Sequence, residues 1–150
     1  MKHPNKEIME NLIRYTERYA VKYGHATGAF IVKDDEILAK AVTTVEKDKN
    51  PTSHAELKAI GKACKMIKNY HLNGCYLYTT QEPCPMCASA IVWARIAGVI
   101  YGWESHNLRN HLKMCCQTIL ETSSEKIEVF PKFMEKECLE LRKKSINGEG

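Results

Sequence analysis

His54-Ala55-Glu56 and Pro83-Cys84-Pro85-Met86-Cys87 are the two stretches on which the reading of this chain turns. Cys84 and Cys87 are three apart, so at the start of a helix both sulfurs face one point, and the free N–H groups there favour thiolate. Two thiolates and the neutral imidazole of His54 balance the charge of one Zn²⁺ per chain. Structural zinc takes four protein ligands, whereas three leave room for a water that the metal makes nucleophilic near neutral pH. Glu56 lies two residues past His54, within reach of that water, and is the expected proton carrier. Taken singly, a Cys-x-x-Cys also fits redox, structural-zinc or buried cysteines, and a His-x-Glu says little. The two together, with a proline before the first cysteine, are far more specific.

This joint pattern resembles that of the cytidine and deoxycytidylate deaminase superfamily, closest to its guanine deaminase and tRNA adenosine deaminase-like members. Thr27-Gly28-Ala29-Phe30-Ile31-Val32 is similar to the first core strand of that family, and Pro51-Thr52-Ser53-His54-Ala55-Glu56 to the loop entering its first core helix. Tyr78 to Cys87 is similar to the second metal-bearing segment, and Ile91-Val92-Trp93-Ala94-Arg95-Ile96 continues its helix. Order and spacing fit from about residue 6 to 103, and the match thins beyond. The resemblance implies an α/β fold of three layers, α/β/α, with a mixed five-stranded sheet. It also implies a zinc-dependent hydrolytic deaminase: His54, Cys84 and Cys87 hold the metal and Glu56 shuttles the proton that releases ammonia. The backbone N–H of Ala55 would hold a ring carbonyl or ring nitrogen, and the backbone carbonyl of Glu82 the amine.

Substrate is less legible. Relatives acting on guanine or tRNA adenosine carry an asparagine in the loop after the second strand, where this chain has Thr43, one hydroxyl instead of a two-sided amide. Trp93 reads either as a core aromatic or as a wall of the base pocket. Phe30 reads as core before it reads as a stacking platform, and it stays a candidate substrate contact. A free amino-base or small nucleoside is preferred, guanine-like first and cytosine-like next. A tRNA wobble adenosine enzyme is the alternative, for which a basic, aromatic C-terminal helix is expected. Arg142-Lys143-Lys144 gives only the charge. The reading from another class is a non-catalytic, zinc-stabilised binding protein, which would have no use for Glu56. The resemblance implies a homo-oligomer, a dimer, for which the apolar helix after Cys87 offers a surface.

Composition is ordinary for a soluble globular protein. A chain of 150 residues, 44% hydrophobic and 27% charged, reads as one domain, residues 1–150, with a sizeable core. No apolar run reaches membrane-span length and the start lacks a secretory h-region, so the expected location is the cytoplasm with no membrane partner. The formal charge of +4 is scattered among acids and argues for no nucleic-acid block. Seven cysteines without a signal segment argue against a disulfide framework. Cys64, Cys75, Cys115, Cys116 and Cys138 read as small buried hydrophobes. His106, His111, Cys115 and Cys116 form a second candidate metal cluster but repeat no zinc spacing, and His25 and His71 read as surface groups.

The apolar spacing predicts a helix from Lys6 to Tyr23 with Gly24 as its cap, then strands Thr27–Val32 and Ile37–Val42 joined through Asp34-Asp35. A polar loop to Pro51 leads into a helix from His54 to Lys68, capped by Ser53 or Thr52, with Ile60, Ala63, Cys64 and Ile67 inward. Strand Cys75–Thr80 follows, then a helix with Pro85 in its first turn, apolar nearly all round and buried between layers up to Ala97. Val99–Trp103 is the next strand. Leu108, Leu112, Cys115 and Ile119 mark another amphipathic helix, Ile127–Phe130 a last strand, and Phe133–Lys144 a terminal helix with Met134, Cys138 and Leu141 inward. Residues 146–150 should fray.

Overall fold

The computed structural model describes residues 2–108 and 112–145. Its centre is a five-stranded sheet in the order β2-β1-β3-β4-β5. β1 (Gly28–Lys33) and β2 (Glu36–Val42) form an antiparallel hairpin that closes at the pair Lys33 and Glu36. Asp34 turns it in the left-handed conformation (φ 54°) that a short polar side chain tolerates. β1 also runs antiparallel to β3 (Cys75–Gln81), and β3, β4 (Gly98–Trp103) and β5 (Glu128–Phe130) run parallel. The sheet is mixed, as expected.

Side-chain alternation along each strand divides the core into two. Ala29, Ile31, Leu77, Val99 and Tyr101 pack against α3 (Ala55–Ile67), α4 (Pro85–Trp93) and α5 (Cys116–Leu120). Phe30, Val32, Tyr78 and Ile100 face α1 (Lys6–Tyr19) and α6 (Glu135–Lys143), meeting Ile8, Met9, Leu12 and Cys138. This is the three-layer α/β/α arrangement. Phe30 therefore lies, 1% exposed, in the layer away from the metal-bearing helices, its ring 5.4 Å from that of Tyr15. As a substrate contact it is corrected: one residue of strand parity decides the face.

Other expectations shift locally. α1 stops at Tyr19 and a 3₁₀ turn, Val21–Tyr23, carries the chain to Gly24, whose φ of 82° closes it. In α3 the fully buried stripe is Ala55, Ala59 and Ala63, while Ile60, Cys64 and Ile67 pack at its margin. α4 ends at Trp93, four residues early, where Arg95 turns left-handed (φ 56°). Its buried face is Cys87, Ala88 and Ile91, and Trp93 is 82% exposed, so the core reading of Trp93 is also corrected. Of the helix expected through Leu108 to Ile119, the described residues form Cys116–Leu120, and Leu108 and Leu112 are exposed. The terminal helix begins at Glu135 and buries Cys138 and Leu141 as expected. His111 and residues 146–150 lie outside the described residues. No helix among the described residues is long and apolar enough to cross a membrane.

Two glycines test the packing. A Cβ on Gly102 would collide with Cys138 Sγ and the Thr80 carbonyl oxygen, whereas one on Gly61, inside α3, meets nothing within 4 Å. Chemical denaturation of G61A is expected to show a gain of about 0.5–1 kcal/mol from the stiffer unfolded chain. G102A should lose about 1–3 kcal/mol through overpacking. Equal stabilities for the two variants would contradict the layer packing described here.

Candidate metal centre

The three candidate metal ligands come from the starts of two helices on one face of the sheet. His54 is the N-cap of α3 and Cys84 the N-cap of α4, with Pro85 filling the first helical position where no N–H is missed. Cys84 and Cys87 thus present both sulfurs at one helix start. His54 Nδ1 lies 3.6 Å from Cys84 Sγ and 3.5 Å from Cys87 Sγ, and all three donor atoms fall within 4.8 Å of one another. Zinc bonds of about 2.3 Å to sulfur and 2.0–2.1 Å to nitrogen, at a tetrahedral angle, set sulfur and nitrogen about 3.5–3.6 Å apart. The donor set fits that ion in spacing and charge. Cys87 is buried and His54 and Cys84 are half-buried, so the cluster is accessible from one side.

The Cys84 and Cys87 sulfurs are in hydrogen-bonding contact. The contact from Cys87, then that from His54, pushes Cys84 down to about 4. Cys87 is pushed up by the same bond, then by burial and by the charge of Glu56. Glu56 follows His54 by two residues on the first turn of α3 and is 3% exposed.

α3 is not capped by Ser53 or Thr52. The oxygen instead comes from Thr43 across the loop: Thr43 Oγ1 accepts from the Ala55 N–H at 3.0 Å. Two residues expected at the substrate therefore hold each other. A second clasp closes the same loop, in which Lys58 Nζ donates to the Val42 carbonyl (3.1 Å) and to Thr44 Oγ1 (2.7 Å). Thr44 Oγ1 in turn donates to Asp48 of the short helix α2 (Val45–Asp48) at 2.7 Å. Burial pushes the Lys58 ammonium down. Nothing in the motif marked Lys58, whose signal was only its place one turn past His54. His25, expected at the surface, is mostly buried with Glu46 of α2 at 3.7 Å.

Glu82 was expected to act through its backbone carbonyl, which accepts from the Ser105 hydroxyl at 3.3 Å. Its side chain is the surprise. The fully buried carboxylate collects the N–H groups of Ser105 (2.9 Å), His106 (3.1 Å) and Cys116 (2.9 Å) and meets the His106 ring at 2.9 Å. Burial alone would raise its pKa, but these donors together hold it below the ordinary carboxylate range. His106, Cys115 and Glu82 do converge, although the spacing of the residues announced no zinc site. Because both carboxylate oxygens already accept from protein donors, the group reads as a clasp that ties Ser105, His106 and Cys116 to the residue two before Cys84.

Residues 2–103 match the family model described as the cytidine and deoxycytidylate deaminase zinc-binding region. Guanine deaminase of Bacillus subtilis is 51% identical over 81 residues, 54% of this chain and 52% of that protein. A tRNA-specific adenosine deaminase of Aquifex aeolicus is 46% identical over 89 residues, 59% of each. The aligned part of this chain therefore spans little more than half the length of these two relatives. Among solved structures, one from a study of tRNA:A34 deaminases superposes with a TM-score of 0.77 at 27% identity, covering 91% of this chain and 99% of that one.

Removing the clasp is predicted to be costly. E82A strands buried donors and should lower stability by about 3–5 kcal/mol in urea unfolding. Limited proteolysis should then cut first between residues 105 and 116. A variant as stable and as protease-resistant as the parent would contradict this reading of Glu82.

Proposed function

The chain belongs to the cytidine and deoxycytidylate deaminase family, and on that premise we propose that it is a hydrolytic deaminase of an amino-substituted nucleobase or small nucleoside. The observation that carries the proposal is the convergence of His54, Cys84 and Cys87 at zinc-ligand spacing beside the buried Glu56. His54 Nδ1 and the two sulfurs would hold zinc, which supplies the Lewis acidity that lets water attack a carbon near neutral pH. Glu56 takes a proton from the attacking water and delivers it to the exocyclic amine, so that the C–N bond breaks and ammonia leaves while the ring keeps a carbonyl. Its burial keeps this proton from bulk solvent. Thr43 Oγ1 already accepts from Ala55, so its own proton is the group it offers a ring acceptor, and the Glu82 carbonyl is the acceptor for the amine.

Guanine-like rings are preferred and cytosine-like rings come next, with the Bacillus subtilis guanine deaminase match in support. A second reading, deamination of tRNA wobble adenosine, is favoured by the structural match that runs over nearly the whole tRNA:A34 deaminase chain. Against it, the three cations at the end of the last helix, Arg142, Lys143 and Lys144, are engaged at home. Arg142 stacks 4.8 Å over Trp103, Lys143 pairs with Glu140 at 3.5 Å, and Lys144 pairs with Glu17 at 2.8 Å. The proposal includes a single deaminase domain over residues 1–150 and a reducing, cytoplasmic setting, in keeping with seven free cysteines.

Self-association is part of the same reading. Trp93 (82% exposed) and Tyr70 (77% exposed) flank a groove floored by Ile60 and Val92 beside the end of α4. An apolar patch of that kind suits a second copy of the chain. The domain reading and the oligomer are proposals, as is every substrate contact.

Two predictions follow from this scheme. E56A should retain zinc and the parent melting curve yet release ammonia from guanine, cytosine or their nucleosides at least 10²-fold more slowly. Unchanged turnover would remove Glu56 as the proton carrier, a parent that releases no ammonia would leave the non-catalytic reading standing, and activity confined to an anticodon stem-loop would favour the RNA reading. Light scattering should give the parent a mass near twice 17.1 kDa and W93E a mass near the single chain. A monomeric parent would remove the oligomer from the account.

A further inference from the structure

Gln81 ends β3, three residues before Cys84, and is only 9% exposed. A buried carboxamide brings one acceptor and two donors, and each must be met or remain a cost. Its oxygen accepts from the Thr27 hydroxyl at 2.7 Å, and Thr27 is itself 3% exposed. Among the described residues, Gln81 Nε2 makes no hydrogen bond. The pair therefore leaves the amide N–H₂ group as the unspent polar group at this end of the strand.

The pair is also wired to the metal-bearing helix. The Thr27 carbonyl accepts from the Thr43 N–H at 3.1 Å, and the Thr43 hydroxyl accepts from the Ala55 N–H at 3.0 Å. One polar row thus runs from Gln81 through Thr27 and Thr43 to the residue after His54. Ala29, Ala41 and Leu77 of the same sheet pack toward α3 and α4, the Thr43 hydroxyl reaches the start of α3 through Ala55, and Thr27 with Gln81 stands beside it.

We propose that Gln81 is a specificity-determining residue: its N–H₂ group, oriented by Thr27, donates to a ring carbonyl of the substrate and so selects oxo-amino heterocycles over amino-rings without a carbonyl. The inference rests on the deaminase reading above and deepens it, because guanine and cytosine carry such an oxygen and adenine does not. A donor beside this carbonyl acts on the bound ring, so its loss should appear in affinity before it appears in turnover.

Steady-state kinetics on the zinc-loaded full chain test it. Q81M, of similar length but without the amide, should raise KM for the oxo-base that the parent deaminates by about tenfold, the equivalent of one hydrogen bond. It should leave kcat within about twofold and metal content unchanged. Equilibrium dialysis with the same base gives the parallel loss of binding by E56A/Q81M against E56A. Q81E, which keeps the oxygen facing Thr27 and lacks the donor, supplies the same comparison if Q81M folds poorly, and T27S should match the parent. A parent that deaminates a free base while Q81M and Q81E keep its KM and its preference over adenine overturns this inference alone. A parent that acts on no free base overturns the reading beneath it.

Discussion

Three donor atoms drawn from two helix starts must meet at one point, and most of this fold follows from that requirement. His54 begins α3 and Cys84 begins α4, so both helices have to start at the same end of the sheet and on the same face. The sheet order achieves this: β1 lies antiparallel between β2 and β3, so β2, which leads into the loop that delivers His54, and β3, which leads to Cys84, end at the same end of the sheet. The Thr43 and Lys58 contacts on one side and the Glu82 clasp on the other hold the two approaches. Helix starts serve the chemistry as well as the geometry, since their free N–H groups favour the thiolates a cation needs.

That arrangement leaves Glu56 little freedom. It sits two residues past His54 on the first turn of α3, 3% exposed, and its charge adds to the rise of the Cys87 thiol. A structural metal site has no use for a buried acid there, because desolvating a carboxylate is costly unless its charge is used. This is the physical reason to read the cluster as reactive, and it does not depend on which ring is bound.

The sequence disclosed features that rest on local pattern. His54, Cys84 and Cys87, the proline at the start of α4 and all five strands were legible because ligand spacing, proline placement and strand composition are properties of a few neighbouring residues. Long-range choices were not. Phe30 and Ala29 are equally apolar, yet one faces α1 and the other α3, and only the register of β1 against β3 distinguishes them. Trp93 looked buried because α4 is apolar all round, although the layer that would cover that end of the helix is absent from this chain's own fold among the described residues. The buried Glu82 carboxylate, which gathers the N–H groups of Ser105, His106 and Cys116, left no mark in the local pattern because its partners lie 23 to 34 residues away. The Thr27 and Gln81 pair was invisible for the same reason, being made by two strands that meet only in the sheet.

The metal's surroundings are the quantity on which the account stands. X-ray absorption at the zinc edge of purified protein should give one metal per chain bound by two sulfurs, one imidazole nitrogen and one further light atom that exogenous ligand displaces. A site with no metal, or with four ligands all supplied by the protein, would contradict it.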